Sequence, residues 1–233
     1  LNLFYQPLLP EGKFYLDSLE SKHCTKVLRK KNGDYIQITD GRGLLYNAVI
    51  TRADIHQCSF EVQEKLAESP RGFRIHIGIS PIKNTDRLEW FVEKAVELGV
   101  DEITLIECHH TERSHVKPER LDKLAISAMK QSLKWTLPII SGPEKLSEFI
   151  KRSTASSKFI AYVDAENPNH LIHMAAPRSN YLILIGPEGD FSKDEVSLAL
   201  ENNFNPVSLG TSRLRTETAG LAACHILNLV NTP

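Results

Sequence analysis

The sequence predicts an α/β protein: a mostly parallel sheet with helices on both faces, preceded by a smaller β domain. Three observations predict it. From Arg74 onward, short apolar runs alternate with amphipathic stretches at helical spacing, the pattern of a parallel sheet covered on both sides. Roughly the first seventy residues carry closely spaced alternating runs and little helix, the pattern of a small barrel. Near the carboxyl end, two apolar runs break at glycine-containing loops that lead at once into helices, and such loops at the ends of neighbouring strands form a ligand crevice.

The bulk numbers bound the answer. At 233 residues there is room for one large domain or two smaller ones, and a hydrophobic fraction of 41% argues against disorder. A formal net charge of -1 gives no global basic field, so nucleic-acid binding requires a local patch. Cys24, Cys58, Cys108 and Cys224 lie far apart without a C-x-x-C pair, which points to buried thiols in a reducing, cytoplasmic compartment. The N-terminal stretch lacks the basic and apolar regions of a signal peptide. No apolar run approaches the roughly 20 residues that span a bilayer, so no membrane is expected.

Each element has its own signal. YIQITDGRGLLYNAVITRA reads as two strands joined by the turn Asp40-Gly41-Arg42-Gly43, and CSFEVQEKL as another. Ser69-Pro70-Arg71-Gly72 reads as a linker, dividing the chain into domains 1–71 and 72–233. RIHIGISP is a strand. TDRLEWFVEKAVELGV is a helix burying Leu88, Phe91, Val92, Ala95, Val96 and Leu98, and Gly99 ends it. EITLIEC is a strand, and PERLDKLAISAMKQSLKW a helix opened by Pro118. KFIAYVDA and YLILIG are further strands with short helices between. After YLILIG come a GPEG loop and a capping box, Ser192 with Glu195. PVSLG is a short strand, TSRLRTE a polar loop and TAGLAACHILNLV the closing helix, with Thr216 or Thr218 available to cap it.

Four stretches carry candidate chemistry. The GPEG loop is neither GxxxxGK[ST] nor GxGxxG, which disfavours nucleoside triphosphates and dinucleotides. RLRTETA sets Arg215 and Glu217 before a helix of small residues, either as a capped helix start with an exposed ion pair or as polar groups at the crevice mouth. KHCTKVLRKK contains Lys22, Lys26, Arg29, Lys30 and Lys31 and no acid, and reads either as a solvated helix face or as a phosphate-binding patch. CHHTERSH groups Cys108, His109, His110 and His115, but adjacent histidines at a strand end point apart. No metal is expected there; a crevice-lining or RNA-facing loop carrying Arg113 and Ser114 is.

On these residues the chain resembles the RsmE family of ribosomal RNA methyltransferases, in the SPOUT superfamily. VLRKKNGDYIQITDGRG is similar to the family's N-terminal PUA-like β-barrel domain, and IKNTDRLEWFVEKAVELGV, HHTERSHVK, KQSLK, LIGPEGDFSKDE and LGTSRLRTETA follow its other signatures in order. The resemblance implies a C-terminal trefoil-knot domain, a homodimer, and S-adenosyl-L-methionine as cofactor. It also implies methylation of N3 of one uridine in small-subunit (16S) ribosomal RNA, free or as the 30S particle. Carried over, the cofactor-binding positions are Leu184, Ile185, Gly186, Glu188, Gly189, Leu209, Gly210, Leu214, Arg215 and Thr216. Gln131, Ser132, Arg215 and Glu217 are the catalytic candidates, and Lys134 and Arg113 join the basic run as RNA-binding candidates. The chain departs from the family pattern at Asp190 for glycine, at Lys134 for arginine, and at Ser212-Arg213 for Arg-Ile, which leaves the task of Arg213 open. Two other readings stand beside this one: a methyltransferase of the same fold acting on another RNA, such as tRNA ribose, and a non-catalytic assembly factor.

Overall fold

Four strands form at the start of the chain, β1 (Leu3–Tyr5), β2 (Tyr35–Thr39), β3 (Leu44–Arg52) and β4 (Ser59–Ala67), and buried residues alternate with more exposed ones along Tyr35–Ile38 of β2 and Tyr46–Ile50 of β3. The computed structural model describes residues 2–112, 116–162 and 169–232. It divides into two compact units, Leu1–Pro70 with Ile126–Leu137, and Arg71–Ala125 with Pro138–Pro233.

In the first unit the strands form one sheet in the order β1-β2-β3-β4, with β1 parallel to β2 and the other pairs antiparallel. Ile36, Ile38, Ala48 and Ile50 turn inward onto Phe4, Leu16 and Phe60. Burying each large apolar side chain contributes about 1.5–3 kcal/mol. Asp17 caps α1 (Ser18–Lys22), which runs on into a π-helical turn, His23–Val27, with Cys24 buried. The expected turn between β2 and β3 is held by Asp40, whose Oδ1 accepts from the N–H of Arg42 at 2.8 Å. Gly41 sits there at φ 77°, where a Cβ would lie 2.8 Å from the ring of Tyr5.

Residues 126–137, which the sequence reading places in the second domain, cluster with the first unit. Hydrogen bonds to the Asp40–Gly43 turn are the reason: Gly43 N–H donates to the Trp135 carbonyl at 3.1 Å, and Leu137 N–H to the Gly41 carbonyl at 2.9 Å. The helix expected to reach Trp135 ends sooner, as α3 (Pro118–Gln131). Leu133 adopts φ 55°, and Lys134 N–H closes on the Met129 carbonyl at 3.0 Å. This left-handed closure lies in the backbone, and apolar spacing does not report it.

The second unit is a six-stranded parallel sheet. Its strands are β5 (Arg74–Ile79), β6 (Glu102–Glu107), β7 (Ile139–Lys145), β8 (Ser157–Ala161), β9 (Asn180–Ile185) and β10 (Asn205–Val207), in the order β10-β8-β9-β5-β6-β7. Strand β7 has no counterpart in the sequence reading, because its residues alternate neither in polarity nor in burial. The sheet centre is rich in isoleucine, with Ile75, Ile77, Ile79 and Ile183 fully buried. On one face α7 (Thr216–Val230) packs on β5 and β9 and against α2 (Thr85–Leu98) and α5 (Leu171–Met174). On the other, α4 (Leu146–Arg152) packs on β6 and β7 and against α6 (Lys193–Glu201).

The α2 face is as expected. Leu88, Phe91, Val92, Ala95 and Val96 are buried, Leu98 is half-buried, and Gly99 ends the helix at φ 96°. The small residues of α7 explain how close α2 and α7 come: a Cβ at Gly220 would lie 2.6 Å from the Phe91 ring.

A polar row crosses this otherwise apolar sheet. His76 Nε2 lies 2.8 Å from Thr104 Oγ1, which lies 2.9 Å from Ser141 Oγ, and the imidazole stands edge-on to Phe149. Burial, helped by Arg152 and Arg74, lowers the His76 pKa from 6.5 to about 4. The unfolded chain therefore binds the proton that the folded chain refuses, so this contribution is complete above pH 6.5 and is lost as pH falls towards 4. Denaturant titrations across that window should show stability falling with pH, and His76→Gln should flatten the slope.

Candidate active site

Strand β9 ends at Ile185, and residues 186–192 turn the chain into α6. Ser192 caps α6 in the predicted capping box: its hydroxyl accepts from Glu195 N–H at 3.3 Å, and its own N–H donates to Glu195 Oε2 at 2.8 Å. The other carboxylate oxygen of Glu195 accepts from His109 N–H at 2.7 Å, which ties residues 108–112 to this loop. A Cβ at Gly189 would lie 3.1 Å from His110, and one at Gly186 would lie 3.1 Å from the Phe191 ring. Asp190, the position where the resembling family has glycine, adopts φ 61°. That conformation explains the glycine, and aspartate is among the few other residues that enter it readily.

The second loop, 208–215, joins β10 to α7. Ser208 is fixed at its start, donating to the Asn169 carbonyl at 2.8 Å and accepting from Leu171 N–H at 3.0 Å. Gly210 follows at φ 127° with open space where a Cβ would stand. The expected threonine cap does not form. Arg215 holds the N-cap position without a side-chain cap. The buried Thr216 hydroxyl instead donates to the Gly186 carbonyl at 3.0 Å, joining one loop to the other.

Together the loops enclose a cavity of about 680 Å³, the size of a small-molecule site. Of the cofactor-binding positions read from sequence, Ile185, Gly186, Glu188, Leu209, Gly210, Leu214 and Thr216 line it. Leu184 is buried in β9 behind it, while Gly189 and Arg215 are not among its lining residues. Tyr162, His170, Ser208 and Arg213 line it too, unpredicted as cofactor contacts. Tyr162 and His170 were missed because no motif marks them and chain crossings bring them in, whereas Ser208 directly precedes the predicted Leu209.

Electrostatics centre on Arg87, which sequence reasoning also missed. From α2 its guanidinium reaches Glu188 Oε1 at 3.6 Å and Glu217 Oε1 at 3.8 Å. Glu217 is 6% exposed, and its Oε2 has no hydrogen-bond partner among the described residues. A buried carboxylate oxygen without a partner is costly unless a ligand donor satisfies it. Arg215 is exposed at the start of α7.

Gln131, Ser132 and Lys134 belong to the first unit, where the Ser132 hydroxyl donates to the Ala128 carbonyl at 2.7 Å. Lys22, Lys26, Arg29, Lys30 and Lys31 are in that unit too, at its surface. Arg113 and His115 lie outside the described residues. Cys108 is buried, its thiol pKa pushed up to about 12 by desolvation, and no cluster suited to a metal occurs among the described residues. No helix among them is long and apolar enough to cross a membrane.

A family model described as an RNA methyltransferase domain matches residues 68–228, and an RNA methyltransferase PUA domain model matches residues 16–63. The chain belongs to the RNA methyltransferase family. As a member of it, the chain is 45% identical to a probable rRNA-methyltransferase from Porphyromonas gingivalis, whose crystal structure superposes with a TM-score of 0.94 over 99% of this chain and 98% of that one. Ribosomal RNA small subunit methyltransferase E from Neisseria gonorrhoeae, solved bound to S-adenosyl methionine, is 28% identical with a TM-score of 0.78 over 96% and 95% of the two chains. The protein of that name from Buchnera aphidicola is 29% identical over 95% of this chain and 90% of its own.

In this RNA methyltransferase the Thr216–Gly186 bond is the direct link between the two cavity loops. Thr216→Val keeps the shape and removes the donor. It should cost about 1–3 kcal/mol in chemical denaturation, whereas Thr216→Ser should retain most of the stability.

Proposed function

We propose that this RNA methyltransferase uses S-adenosylmethionine to methylate N3 of a uridine in small-subunit ribosomal RNA, within ribosome biogenesis. The observation that carries the reading is the single cavity made by joining the 186–192 and 208–215 loops through Thr216. Its walls suit such a cofactor. Ile185, Leu209 and Leu214 are apolar, Gly210 leaves backbone open, and the volume matches a ligand of that size. S-adenosylmethionine is also the molecule bound in the Neisseria relative. It supplies an activated methyl group on a sulfonium, so the chain's own task is alignment and control of charge.

Uridine N3 carries a proton at neutral pH and must lose it as the new bond forms. The negative charge then spreads onto O2 and O4, where a fixed cation helps most. Arg215 is the cation assigned to that task. Glu217 is assigned either the proton or the orientation of a neighbouring cation, and its unpartnered oxygen beside Arg87 supports both roles. Gln131 and Ser132 complete the set carried over from the family. The unpaired cations of the first unit suit ribosomal RNA phosphates, with Lys134 among them. The reading includes the family's trefoil knot and a homodimer, which a solution mass of two chains would support. It also includes a reducing, cytoplasmic setting, which the four buried cysteines suit.

Methylation of undermodified small subunits is the test. Arg215→Ala should lower kcat by about 10²- to 10³-fold while the thermal shift on adding S-adenosylmethionine persists. Arg213→Ala, assayed alongside, separates the cation that lines the cavity from the one at the start of α7. Wild-type turnover in Arg215→Ala would remove Arg215 from the mechanism, and mapping N3-methyluridine in the product checks the modified atom.

A further inference from the structure

In the first unit, five cations of one run lack a carboxylate partner among the described residues. Among the described residues Lys22, Lys26, Arg29, Lys30 and Lys31 form no ion pair, whereas Arg52, Arg71, Arg120, Lys130 and Arg152 each hold a carboxylate. The nearby acids are engaged. Glu20 is taken by Lys130, and Asp34 accepts the backbone N–H of Lys31 at 2.8 Å rather than its ammonium. Unpaired clustered cations leave a local positive potential for an external anion.

The turn that carries three of them is built rigidly. Lys30 N–H donates to the Cys24 carbonyl at 3.0 Å, Gly33 N–H to the Ile50 carbonyl at 2.8 Å, and Ile50 N–H to the Asp34 carbonyl at 3.0 Å. The turn then enters β2 at Tyr35, whose carbonyl accepts from Lys30 Nζ at 3.1 Å. Ile36 points into the core, so strand alternation puts the Tyr35 ring on the outer face, where the residue is 73% exposed. Val27, at the end of the π-helical turn, is 64% exposed.

We propose that Tyr35 is a stacking platform for an unpaired base of single-stranded RNA, whose phosphates are held by Arg29, Lys30 and Lys31. An exposed aromatic ring next to a hydrogen-bonded turn that carries cations offers one surface for a base and another for its backbone, the pairing that single-strand binders use. A duplex keeps its bases stacked on one another and has no free face to give, so the partner is a looped or extended strand. Glu61, two strands across on the same outer face, leaves the side towards the turn to the cations. This inference rests on the RNA methyltransferase reading and adds to it the form of RNA that the N-terminal unit grips.

The test uses the full-length protein with an oligouridylate single strand and with an RNA duplex of equal length, each titrated at several salt concentrations. Tyr35→Ala should weaken single-strand binding roughly 5- to 100-fold, leave duplex binding and the salt slope unchanged, and keep the wild-type melting temperature. Tyr35→Phe, which keeps the ring, should bind as the wild type does. Arg29→Gln with Lys31→Gln should flatten the salt slope by up to roughly 0.7 for each phosphate contact removed. Wild-type affinity of Tyr35→Ala for the single strand, or equal losses on strand and duplex, would overturn the inference alone if the wild type still methylates ribosomal RNA. A wild type that neither binds these RNAs nor methylates ribosomal RNA would overturn both readings.

Discussion

One hydrogen bond, from the Thr216 hydroxyl to the Gly186 carbonyl, gives the second unit its functional geometry. It joins the start of α7 to the turn after β9, so two loops separate in sequence become walls of one cavity. The bond is buried, where an unmade partner costs more than it does in water. Much around it depends on that contact. A Cβ at Gly186 would crowd the Phe191 ring at 3.1 Å, and Ala219, one turn into α7, lines the same cavity. A threonine that looks like a helix cap in the sequence thus serves a tertiary purpose, and α7 begins without a side-chain cap.

The charge arrangement follows a related logic. Glu217 sits in the first turn of α7, where unsatisfied backbone N–H groups favour a negative side chain. Burying that carboxylate costs several kcal/mol unless it is compensated. Arg87 compensates only in part, standing 3.8 Å from one oxygen while shared with Glu188. A carboxylate held in this way has one oxygen steadied by a cation and the other buried with no hydrogen bond from the described residues.

Much of the architecture was legible in the sequence, for physical reasons that differ by element. The buried faces of α2 and the central strands declare themselves through spacing, since one-sided burial imposes a period. The capping box at Ser192 is a local pattern and appears where the motif puts it. Strand β7 and the closure of α3 at Leu133 were not legible: the first lacks alternation, and the second depends on one left-handed residue. The two cavity loops could be read as motifs, but Arg87, Tyr162 and His170 enter the site through tertiary proximity alone. The clustering of residues 126–137 with the first unit is a case of the same kind, resting on hydrogen bonds to a turn some ninety residues earlier and on the Lys130–Glu20 ion pair.

The two outermost strands of the parallel sheet share a property that matters for the protein's behaviour when concentrated. An open sheet ends in rows of backbone donors and acceptors that invite pairing with another molecule. Here β10 has three residues, with Pro206 at its middle, and β7 is interrupted by Gly142-Pro143. Proline offers no N–H to an incoming strand, so each border is too short or too broken to template growth. Resistance to edge-on aggregation is thereby built in at the positions where apolar spacing is weakest.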